Sequence, residues 1–98
     1  MNNVEIATTI LNQLGGKRFI AFTGSKNFVA TKSGIIMKLC RNRSKATHLK
    51  IELNGLDLYD VNFIKAGKEL QDVQSFSNVY CDQLESIFCE TTGLWTKF

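Results

Sequence analysis

Two neighbouring segments alternate so regularly that they dictate the centre of the fold. In His48–Leu53 the residues His48, Lys50 and Glu52 take one side, and Leu49, Ile51 and Leu53 take the other. In Leu58–Lys65 the residues Tyr59, Val61, Phe63 and Lys65 share a side, and Leu58, Asp60, Asn62 and Ile64 share the opposite one. A period of two is the signature of a half-buried strand. Between the two runs stands Asn54-Gly55, a favoured hairpin dipeptide, with Leu56-Asp57 lengthening the connection. A hairpin with one apolar face needs something to cover that face, while its other face stays polar or finds a partner.

The ends of the chain supply the cover. From Asn3 to Leu14, Val4, Ala7, Leu11 and Leu14 fall at helical spacing, and Ile6 and Ile10 widen the stripe. Asn2 or Asn3 is placed to cap this helix, Glu5 suits its positive end, and Gly15-Gly16 stops it. A second helix is expected from about Asn78 to Thr91, with Val79, Tyr80, Leu84, Ile87 and Phe88 on its apolar face. Ser77 is placed as its N-cap, Phe76 to staple against Cys81, and Gly93 as its stop. Leu94, Trp95 and Phe98 then form an apolar tail expected to dock back on the domain.

The remaining segments read as strands. Arg18–Thr23 is short, aromatic and β-branched, Asn27–Ala30 resumes after a break, Ile35–Leu39 follows a turn, and Glu69–Gln74 suits an edge. The sequence has no proline, so its turns rely on Gly, Asn, Asp and Ser. Together these features predict one α+β domain over residues 1–98. It is a two-layer sandwich with a mainly antiparallel sheet of four to five strands, flanked by an N-terminal and a C-terminal helix.

Charge is distributed unevenly. Between Lys17 and Lys50 lie nine basic residues (Lys17, Arg18, Lys26, Lys32, Lys38, Arg41, Arg43, Lys45 and Lys50) and no acidic one. The first fifty residues hold those nine cations against Glu5 alone, a balance of +8. The rest hold three lysines against eight acids, a balance of −5, which returns the overall +3. Such asymmetry points to nucleic acid or an acidic partner, because phosphates reward clustered Lys and Arg through counterion release. Lys17, Arg18, Lys26, Lys38, Arg41, Arg43 and Lys45 are the candidate nucleic-acid contacts, with Arg41 and Arg43 able to grip adjacent phosphates from a loop. The competing reading has the two halves neutralise each other across the sheet, Lys50 and Glu52 facing strand neighbours of opposite sign.

Chemistry-bearing groups are sparse. His48 is the only histidine and sits on a polar strand face; Cys40, His48, Cys81 and Cys89 lack the clip spacing of a zinc site. Thr23-Gly24-Ser25-Lys26-Asn27 resembles a fragment of a phosphate loop without its spacing, and reads as an irregular turn or as a phosphate contact through Ser25 and Lys26. Asp57 reads as a turn residue, and with Asp60 makes two carboxylates lacking a third. Phe19, Phe22 and Phe28 lie among cations and suit either base stacking or the core. No catalytic residue, metal or cofactor is assigned, and the expectation is a protein that is not an enzyme. Three widely spaced cysteines make no disulfide framework and are expected as small buried apolar groups. Met1-Asn2-Asn3-Val4-Glu5 lacks a signal-peptide pattern, and no apolar run nears the ~20 residues that span a bilayer. A soluble cytoplasmic protein with no membrane partner is expected.

Four blocks resemble a family of small uncharacterised phage and prophage proteins: Arg18-Phe19 with Thr23–Val29, Leu53–Phe63, Val79–Phe88 and Thr92–Thr96. Trp95 stands where that family usually has Tyr, and Cys40 where its members often have Pro. The resemblance implies a phage-encoded accessory protein in the bacterial cytoplasm and implies no activity. Two functions follow as expectations: nucleic-acid binding through the 17–50 segment, or a protein-interaction module that modulates or inhibits a host or defence protein. The module would use the exposed sheet face or edge, or Leu94, Trp95 and Phe98. A structural component of the virion is the third.

Overall fold

Leu49, Ile51, Tyr59, Val61 and Phe63 are all buried, so the alternating hairpin turns one face into the protein as its sequence demands. The structure is a computed structural model that describes residues 3–67 and 69–94, with the backbone alone at position 3. Helix α1 (Asn3–Leu14) and helix α2 (Lys17–Thr23) precede five strands: β1 (Lys26–Ala30), β2 (Gly34–Lys38), β3 (His48–Leu53), β4 (Tyr59–Lys65) and β5 (Gln71–Val79). A 3-10 turn (Cys81–Gln83) and helix α3 (Leu84–Thr92) follow. The strands form one antiparallel sheet in the order β1-β2-β3-β4-β5. The α+β class, the antiparallel sheet and the helix at either end are as the sequence predicts.

The helices lie against one sheet face. From α1, Ala7, Ile10 and Leu14 are buried while Ile6 and Leu11 flank them. Ile10, expected at the margin of the stripe, is at its centre in place of Leu11, and Val4 is 66% exposed. From α3, Phe88 meets Phe19 edge-on at 4.8 Å between centroids, and Phe63 of β4 at 6.5 Å. This ring cluster ties α2, α3 and the sheet together.

Three expectations are corrected. Arg18–Thr23 is helix α2, not a strand. Phe19 and Thr23, four residues apart, are its two buried residues, so its period is helical despite an aromatic and β-branched composition. Gly16 at φ 60° and Gly24 in the left-handed region bracket the segment, and the Gly24 N–H donates to Ile20 O at 3.0 Å. Second, β5 runs on to Val79, so Ser77 lies in a strand and caps nothing. Val61 pairs with Phe76 and Tyr59 with Val79, and this apolar pairing with β4 draws the segment into the sheet. Phe76 packs edge-on to Phe63 at 6.3 Å instead of stapling to Cys81. The turn into α3 is closed by the Tyr80 N–H on Gln83 Oε1 (3.1 Å) and the Gln83 N–H on Tyr80 O (2.9 Å). Third, Cys40 and Cys81 are exposed and only Cys89 is half-buried; all three are free of disulfides.

Tyr59 is buried where β4 begins. That burial raises its hydroxyl above the ordinary 10.0; a hydrogen bond with the Gln13 side chain offsets part of the rise, and Cys81 adds to it. The folded protein therefore holds this proton to higher pH than the unfolded chain does. Stability is unaffected by Tyr59 below about pH 10 and falls as pH climbs from there through the raised value. A urea titration series from pH 8 to 11 is expected to show this alkaline loss, and Tyr59→Phe is expected to flatten it. An identical alkaline slope in the variant would contradict the assignment.

Candidate functional site

The sheet has a second face. Because Met37, Leu49 and Phe63 point to the helices, their strand neighbours Lys38, His48 and Ile64 point away from them. Register places these residues in rows. Lys26 of β1 is opposite Lys38 of β2, Lys38 is opposite His48 of β3, and His48 is opposite Ile64 of β4. The next row runs Val29, Ile36, Lys50, Asn62 and Ser75. No helix of the described residues packs over these rows, and Lys26 and Lys38 are exposed.

One end of this face is basic. Lys38 closes β2 and His48 opens β3, so the loop between them (residues 39–47) leaves from the same end and carries Arg41 and Lys45, both exposed. Lys65 closes β4 at that end too, but by alternation it shares the opposite face with Phe63. Of the acids of the open face, Asp72 ends this same row at the β5 edge and two lie at the other end. Glu52 and Asp60 are opposite each other toward the far end of the β3–β4 hairpin, and Asp72 is opposite Ile64 on the β5 edge.

Neutralisation across the sheet is thus not what the register gives. Lys50 stands between Ile36 and Asn62, and Glu52 between Gly34 and Asp60. The ion pair they do form runs along β3, Lys50 Nζ to Glu52 Oε1 at 3.1 Å. Lys26 and Lys38 meet as like charges directly opposite, a pairing that destabilises a sheet unless an anion relieves it.

The basic loop is ordered from within. Asn42 Nδ2 donates to Cys40 O (2.8 Å) and Ala46 O (2.9 Å), and its Oδ1 accepts from the Ser44 N–H (3.1 Å) and the Ser44 hydroxyl. Arg43 serves the fold: its N–H donates to Thr92 O at 3.0 Å and its guanidinium to Glu90 O. A cation on the last carbonyls of α3 also suits the negative end of that helix. Lys17 and Arg18 are exposed on α2, in the helical layer.

Of the seven basic candidates, the structure therefore places Lys26 and Lys38 together on the open face, and Arg41 and Lys45 on the loop that leaves the sheet at the same end. It gives Arg43 a structural partner and sets Lys17 and Arg18 apart. His48 joins Lys26 and Lys38 on that face, although the sequence does not mark it as a nucleic-acid contact. The period-two pattern that faces His48 with Lys50 was the available signal, but their neighbours depend on strand register. His48 Nδ1 is hydrogen-bonded to Thr47 Oγ1 at 2.8 Å.

Other candidates are absorbed by the fold. Ser25 and Thr23 are buried with their hydroxyls 2.8 Å apart, so Ser25 makes no external phosphate contact. Asp57 is a turn residue at φ 59°, and Asp60 accepts from Asn54 Nδ2 (3.2 Å) and the Asn78 N–H (3.3 Å). Phe19 is core, Phe28 is half-buried against the core and Phe22 is exposed on α2. Leu94 packs on the core; Trp95 and Phe98 lie outside the described residues. Among the described residues, no cluster of His, Cys, Asp and Glu could hold a metal ion, and no helix is long and apolar enough to cross a membrane. A scan against protein-family models and searches of curated proteins and of solved structures each returned no match.

Proposed function

We propose that this protein is a small non-enzymatic accessory factor that binds nucleic acid through the basic end of its open sheet face, acting in a bacterial cytoplasm as a phage-encoded protein. One observation carries the reading: Lys26 and Lys38 are exposed and directly opposite each other, beside His48 and at the root of the loop bearing Arg41 and Lys45. Two opposed lysines cost stability in the free protein and gain it when a polyanion lies across them.

This trade-off gives the test. Lys26→Gln with Lys38→Gln is expected to leave the melting temperature unchanged or raised, and to weaken nucleic-acid binding. The slope of log affinity against log salt should fall by about 0.9 for each phosphate contact removed. Anisotropy titrations at several salt concentrations measure both. Unchanged affinity and slope would sink the reading.

A second reading is favoured by β5. This nine-residue edge strand is exposed over most of its length, carries no Lys or Arg, and is preceded by Leu70 at 77% exposure. An exposed edge strand can accept an added strand from another protein, here along the stretches between the two register shifts of β5. A complex with one host protein that survives nuclease treatment would support it.

A further inference from the structure

We infer that the basic end of the sheet is built for the backbone of a nucleic-acid duplex; this deepens the nucleic-acid reading above and rests on it. Single strands are held by stacking their bases on exposed aromatic rings along a basic groove. Among the described residues the large rings lie off the open-face rows: Phe19, Phe63, Phe88 and Tyr59 are buried, Phe28 and Phe76 pack against the core, and the exposed Phe22 and Tyr80 stand on α2 and just past β5. In the two rows that cross the open face, the one ring is His48, already hydrogen-bonded to Thr47. Beyond that ring the rows offer lysines, short apolar or polar side chains and, at the β5 edge, Asp72; the lysines recognise phosphate as charge, and none of the others is a platform for a base.

What this end of the protein does offer is two cation sets, one on the sheet and one on a braced loop. Lys26, Lys38 and His48 sit on successive strands, a span of roughly 10 Å from two strand spacings, of the order of a duplex groove width. Arg41 and Lys45 stand on a loop braced by Asn42 inside and tied to α3 by Arg43. Lys45 holds a left-handed conformation, φ 66°, that fixes where the loop turns. A preformed loop beside a sheet suits a stiff ligand with phosphates on both sides of a groove, because little ordering remains to be done on binding. Sheet lysines on one strand's phosphates and loop cations on the other's would bridge that groove.

The test compares labelled DNA and RNA duplexes of about 20 base pairs with their separated strands, by anisotropy at low and near-physiological salt. Duplex binding about tenfold tighter than single-strand binding is expected. Arg41→Gln with Lys45→Asn, which keeps a residue tolerant of positive φ, is expected to abolish most of that preference while leaving the weak single-strand affinity in place. Equal or tighter single-strand binding, or a preference untouched by the loop variant, overturns the duplex inference and leaves the nucleic-acid reading standing. Binding to none of the probes at low salt defeats both.

Discussion

Alanine at position 34 is expected to cost about 3 kcal/mol or more and to lower the melting temperature by about 12 °C or more. Gly34 opens β2, is buried, and pairs with Glu52 of β3. A Cβ there would lie 1.9 Å from the Ile51 carbonyl oxygen and 2.7 Å from Glu52 Cα. Both obstacles are backbone, so no side-chain rotation relieves them. Relief requires moving β2 off β3, and the Leu53 N–H bond to Ser33 O (2.9 Å) just beyond would be strained with it. A domain of this size has only about 5–15 kcal/mol of stability to lose. The control is Gly55, whose Cβ would meet nothing within 4 Å; Gly55→Ala is expected to melt close to the parent. Thermal melts of the two variants side by side decide it: a Gly34→Ala protein melting within a few degrees of the parent would show that the β2–β3 contact is looser than described.

The hairpin around Asn54-Gly55 was legible because period two needs no tertiary information, and the buried face of β3 and β4 is the one the alternation names. Helix α2 was not legible by composition. Seven residues with two phenylalanines and an isoleucine favour a strand locally, and only the position of Phe19 against Phe88 makes the helical arrangement the one that buries its ring. The end of β5 was misjudged for a related reason. Asn78-Val79-Tyr80 resembles a helix start until β4 claims Val79 as the partner of Tyr59. The site divides the same way. The sequence reveals a long run without acids, but whether its cations meet depends on register. A β-bulge between Lys26 and Val29 helps set Lys26 against Lys38. Arg43 looks no different from Arg41 in the sequence; its bond to Glu90 O, 47 residues away, is a product of the folded chain.

Phe88→Ala is the second large effect, expected to cost about 3–5 kcal/mol. Phe88 is 1% exposed and its ring lies between Phe19 of α2 and Phe63 of β4. Truncation removes the buried area of the ring, and both edge and face contacts, and leaves a cavity that three different elements would have to collapse to fill. They are poorly placed to do so. The α3 C-terminus is held by the Gly93 N–H on Cys89 O (2.8 Å) and by Arg43 on Glu90 O, while β4 is fixed by strands on both sides. Phe88→Leu keeps much of the volume and is expected to cost a smaller share. Urea unfolding measures the difference, and a loss under about 1 kcal/mol for the alanine variant would mean that the ring cluster does not hold the helices to the sheet. The position also separates stability from function. Phe88 lies on the helical side of the sheet and the lysine rows on the other, so a Phe88→Ala protein kept well below its melting temperature is expected to bind nucleic acid with the parent's affinity and salt slope. A matched loss of binding would place the working surface among the helices, where Lys17 and Arg18 are, and move the site off the open face.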